Sequence, residues 1–105
     1  MVESLPRKTS TNIIGRQLIR CATSVGANYR SACRAKSTAD LIAKLSIVEE
    51  EADECLYWLE LLVEANEIPE AKVKKLTTET NEILAMTVAS IKTLRSKENN
   101  PKSKI

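Results

Sequence analysis

Apolar residues recur along this chain at steps of three and four, in three separate runs, and that spacing predicts three helices. In the first run Ile14, Leu18, Cys21, Val25, Tyr29 and Ala32 share one face. This predicts a helix over roughly residues 12–35, with Ser10 or Thr11 as N-cap and an extended segment over 1–11. In the second, Leu41, Leu45, Val48, Ala52, Cys55, Leu59 and Leu62 alternate by four and three without a break. A parallel seam of Ile47, Glu51, Glu54, Trp58 and Leu61 lies on another side of the same helix, as expected for a helix with two neighbours. Ser37 followed by Asp40 predicts its cap, and "ANEIPEA" ends it, because Pro69 disfavours helix at Ile68 and suits the start of the next. The third helix is predicted over about 70–96 on Val73, Leu76, Thr80, Ile83, Thr87, Ile91 and Leu94, and the polar segment 97–105 is predicted to be disordered.

The first helix has more than one distinctive side. Gly15, Ala22, Gly26 and Cys33 gather beside its apolar face, and mid-helix glycines cost about 1 kcal/mol relative to alanine. Close approach of a neighbouring helix at Gly26 is the expected offset. Ser24 and Asn28, four apart on the other flank, are expected to hydrogen-bond a neighbouring helix. Opposite the apolar face, Arg16, Arg20, Arg30 and Arg34 form a basic strip about 27 Å long. That strip reads either as a surface that tracks phosphates or as a solvated face and ion-pair partner for the acidic second helix.

Composition narrows the class. The 105 residues contain two glycines, three prolines and three aromatic residues, which suits helices and one compact domain spanning 1–105. The net charge of +2 hides segregation: residues 1–36 carry net +6, residues 37–70 net −9, and residues 71–105 net +5. An acidic middle between basic arms suits cross-helix pairing in an antiparallel bundle, so charge alone does not establish a nucleic-acid partner.

The residues offer little catalytic chemistry. The chain has no histidine, no Gly-rich phosphate loop and no nucleophile beside a base, so it reads as a non-enzyme. Cys21, Cys33 and Cys55 lack zinc-site spacing and are expected to be reduced core thiols of a cytoplasmic protein, with no cofactor or metal implied. No apolar run approaches the 20 residues that span a bilayer. Glu51 and Glu54, between Ile47 and Trp58, are expected to be partly buried and to need arginine or amide partners, for which Arg20 and Asn28 are the candidates.

With those positions in place, "QLIRCATSVGANYRSA" (Gln17 to Ala32) and "LIAKLSIVEEEADECLYWLELL" (Leu41 to Leu62) resemble a bacterial four-helix bundle family. Its members were first noticed as products of intervening sequences in large-subunit ribosomal RNA genes. The resemblance covers roughly residues 5–95 and rests on Gln17, Leu18, Arg20, Ser24, Gly26 and Asn28, then Glu51, Glu54, Trp58 and Leu59. It implies an all-α antiparallel bundle that assembles as a ring, commonly a homopentamer. The family is similar to accessory variability proteins of diversity-generating retroelements, which bind nucleic acid and a reverse transcriptase. Most members have no established activity. Two departures stand out: the family's helix before the "LP" turn would be missing here, and Ser31 replaces a common glutamate.

The expectation is a non-catalytic oligomeric bundle that binds RNA or DNA backbone through Arg16, Arg20, Arg30 and Arg34. Its alternative is a structural module that docks a protein such as a reverse transcriptase, without nucleic-acid activity. Gly26, Ser24, Asn28, Glu51, Glu54 and Trp58 are the candidate structural and interface residues.

Overall fold

The three periodic runs become three helices: α1 (Arg7–Cys33), α2 (Thr38–Glu64) and α3 (Glu70–Glu98). The structure, a computed structural model, describes residues 7–65 and 68–98. The short links at 34–37 and 65–69 force consecutive helices to run antiparallel.

Each helix end has a local cause. α1 starts before the expected N-cap, so residues 7–11 are helical rather than extended, while 1–6 lie outside the described residues. Ser10 and Thr11 are not caps; Ser10 is only 4% exposed. At the other end the Arg34 amide donates to the Ser31 carbonyl at 3.0 Å and the Ala35 amide to that of Ala32 at 3.1 Å. This tight last turn stops α1 at Cys33, two residues short of the expected 35.

Ser37 caps α2 as predicted, its side chain accepting from the Asp40 amide at 3.0 Å. The return bond differs from a reciprocal capping box: the Asp40 carboxylate accepts from the Lys36 amide, at 3.2 Å. Pro69 opens α3 with its carbonyl, which accepts from Lys72 at 3.1 Å and Val73 at 3.3 Å. The helix then runs to Glu98, so residues 97 and 98 are helical and 99–105 lie outside the described residues.

α2 is the central element. It packs against α1 on one side and α3 on the other, and those two barely touch. Leu45, Val48, Ala52, Cys55, Leu59 and Leu62 of the α2 seam are all buried. Ile14, Cys21 and Ala32 meet them from α1, and Val73, Thr87 and Ile91 are the buried positions of α3. The Thr87 hydroxyl is satisfied inside its own helix, donating to the Ile83 carbonyl at 2.7 Å.

The assembly is a rod of 59 × 22 × 20 Å with an open side. Because α1 and α3 barely touch, Tyr29 on α1 and Leu76, Ile83 and Met86 on α3 stay exposed. Gly15 and Gly26 do not receive the close neighbour that the small-residue flank led us to expect. A Cβ at either position would meet nothing within 4 Å, so no helix of this chain fills that flank. No described helix is long and apolar enough to cross a membrane.

Candidate functional site

The densest polar cluster joins the midpoints of α1 and α2. Antiparallel pairing brings Arg20 and Cys21 opposite Glu51 and Glu54, which point toward α1 from the second seam of α2. Arg20 Nη1 donates to Glu51 Oε1 at 3.0 Å, and its Nε donates to Gln17 Oε1 at 3.2 Å. Its other amino group donates to Glu54 Oε2 and lies 3.1 Å from Cys21 Sγ. Glu54 Oε2 also accepts from Cys21 Sγ at 2.9 Å and from Trp58 Nε1 at 3.0 Å.

One carboxylate oxygen with three donors is strongly stabilised in its charged form. The bonds from Cys21, Trp58 and Arg20 together hold the Glu54 carboxyl down to about 2. Burial pushes the Cys21 thiol up to about 12, helped by its bond to Glu54. Burial also raises Cys55. Hydrogen bonds to Glu51 and then Glu54 keep Arg20 firmly protonated.

Donor atoms of Cys21, Glu51 and Glu54 lie within 4.8 Å of one another, as metal ligands would. The chemistry opposes that reading. Arg20 already pairs with both carboxylates, and Cys21 Sγ already donates to Glu54 Oε2 at 2.9 Å, so the three candidate ligands are engaged with one another and with a cation. The same features oppose nucleophilic catalysis, since Cys21 is fully buried and pinned as a donor. The cluster is an interhelical clamp.

The clamp revises three expectations. Arg20 leaves the basic strip to pair with Glu51 and Glu54, as one alternative allowed. Asn28 does not join them: its side-chain amide donates to the Ser24 carbonyl at 2.9 Å and the Ser24 hydroxyl at 3.2 Å, so the pair closes within α1 instead of reaching a neighbouring helix. Cys33 is exposed, while Cys21 and Cys55 are buried, so two of the three cysteines are core thiols.

Arg16 and Arg30 remain exposed on α1, and Arg34 is exposed just past its end. Topology adds to them a group that no single stretch of sequence shows. The C-termini of α1 and α3 and the N-terminus of α2 meet at one end of the rod. Within about two turns, roughly 11 Å, of that end lie Arg30, Arg34, Lys36, Lys44, Lys92, Arg95 and Lys97, with Asp40 and Glu98, and Glu49 lines a pocket together with Lys92 and Arg95. Those in the last turns of α1 and α3 also offset the helix dipoles.

The comparison with known proteins now bears on this arrangement. The profile of the 23S rRNA-intervening sequence protein family matches residues 1–89. The chain belongs to that family. A similar solved structure is a protein of unknown function from the S23 ribosomal protein family of Bacteroides thetaiotaomicron. It is 39% identical with a TM-score of 0.74, and the match covers 76% of this chain and 71% of that one. No protein of curated function matches. The resemblance carried by Gln17 to Ala32 and Leu41 to Leu62 thus gives the family, and neither similarity states a catalytic activity.

Proposed function

We propose that this family member is a non-catalytic, self-associating helical bundle that binds RNA or DNA through its phosphates. The observation that supports this reading is the basic end: seven cations gather there from the three helices and the α1–α2 link, against Asp40, Glu98 and the Glu49 that neighbours Lys92 and Arg95. Arg16 extends the surface along α1, whereas Arg20, still half exposed, is paired with Glu51 and Glu54. The sequence alone left the strip open between a phosphate-tracking surface and a solvated, ion-paired face. Both basic arms contribute cations to this end, and the clustering favours phosphate contact because clustered cations release counterions together.

Binding should weaken steeply between 50 and 200 mM salt, by about tenfold or more for several phosphate contacts. An Arg30→Glu/Arg34→Glu variant should lose most of the affinity and lower the salt slope. Retention of wild-type affinity by that variant would sink the reading.

A second reading, the protein-docking module, is favoured by the exposed Leu76, Ile83 and Met86 and by the open space over Gly15 and Gly26. Both readings involve association through this open side. Light scattering coupled to size exclusion at micromolar concentration should show an oligomer, and a monomer would exclude self-association.

A further inference from the structure

α3 carries two seams, and α2 covers one of them. Val73, Thr87 and Ile91 are its buried positions. About a quarter-turn round the same helix, Lys72, Leu76, Glu79, Ile83, Met86 and Ser90 alternate by four and three, the spacing of a face that packs along another helix. All six are exposed, and the three large apolar side chains among them are 47% (Leu76), 40% (Ile83) and 60% (Met86) exposed. Covering that apolar area would be favourable, and no helix of this chain does so.

Charge along this seam changes sign midway. Lys72 and Lys75 come first, Glu79 and Glu82 next, and none of the four has an ion-pair partner among the described residues. Lys75 and Glu82, seven apart, take equivalent places on one edge of the seam. Such a face complements itself when laid against a second α3 running the other way. Each Lys75 then meets the partner's Glu82, and Leu76 lies within about 3 Å, two residues, of the level of the partner's Ile83. Glu79, near the centre, is within one turn of the partner's Lys75. Laid parallel, the lysines would face lysines and the glutamates glutamates, which like-charge repulsion opposes. The glutamates equally oppose a nucleic-acid backbone on this seam.

We propose that the outer seam of α3 is the contact for a second copy of this chain, in a two-fold antiparallel pair centred near Glu79. The proposal rests on the self-associating reading and supplies the surface for it. A two-fold contact uses the same patch on both subunits and so closes on itself. It also places the two basic ends at opposite ends of the assembly, where their cations do not repel and stay open to phosphate.

Sedimentation equilibrium should find a dimer for wild type. Ile83→Arg, at an exposed position, should raise its dissociation constant by about 30-fold or more. Lys75→Glu should weaken pairing by about tenfold, and adding Glu82→Lys should restore it. Circular dichroism should show all variants as helical as wild type. In a Cys33→Ser background, where the remaining cysteines are buried, Glu79→Cys should cross-link to its own copy through a short bismaleimide. Ser90→Cys should not, because antiparallel pairing holds the two positions about 35 Å apart.

A wild-type monomer would sink the proposal and the self-associating reading together. An oligomer of unchanged strength in Ile83→Arg, or a Lys75→Glu defect that Glu82→Lys does not repair, would overturn the proposal alone and send association to another surface. Equal cross-linking at positions 79 and 90 would make the pair parallel and overturn it as well.

Discussion

At the scale of residues, Glu54 and Cys21 set opposite limits on stability. The Glu54 carboxyl falls from an ordinary 4.5 to about 2 on folding, so its contribution is complete above pH 4.5 and is lost as pH drops toward 2. The Cys21 thiol rises from 9.0 to about 12, so its contribution is complete below pH 9 and is lost as pH climbs toward 12. Thermal melts across pH should show Glu54→Gln flattening the acid limb and Cys21→Ala flattening the alkaline one. Parallel curves for variant and wild type would contradict the clamp. Thiol titration of the native protein should find one fast cysteine, Cys33, and two slow ones, all three reacting on denaturation. The Arg20 pairing was legible as a candidate because Glu51 and Glu54 sit in a seam that needed a cation. Its exit from the strip was not, because a helical projection fixes where Cβ points and not where a long guanidinium reaches.

At the scale of elements, α2 was the most legible and α1 the least. Every seam position from Leu45 to Leu62 is buried because α2 has a neighbour on each side, so periodicity maps directly onto burial. α1 has one neighbour and a second flank that no helix of this chain covers, which is why Gly26 misled: small residues signal room, and the chain does not fill it. The start of α1 was missed because Ser10 has the chemistry of a cap but is buried by the packing of the bundle, which outweighs a local preference. Two substitutions test these assignments. Ile14→Ala, at a side chain 1% exposed, should cost about 2–5 kcal/mol in denaturant unfolding. Gly26→Ala should stabilise the helix by about 0.5–1 kcal/mol, since the new methyl meets nothing within 4 Å. A loss of stability or of assembly in Gly26→Ala would instead place another chain against that flank.

At the scale of the whole molecule, charge acquires a meaning that the linear sequence did not give it. The net +6 and +5 arms read as partners for an acidic helix, and the Arg20 clamp bears out that part. What sequence could not show is that antiparallel topology returns α3 to the end where α1 finishes, so that Arg30, Arg34, Lys36, Lys92, Arg95 and Lys97 gather there. The central claim is that this end holds phosphates, and equilibrium binding of oligo(U) as a function of salt tests it most directly. The account predicts an affinity that falls steeply between 50 and 200 mM salt for wild type, and a weaker, flatter dependence for Arg30→Glu/Arg34→Glu. Identical affinities and slopes for the two proteins would contradict it.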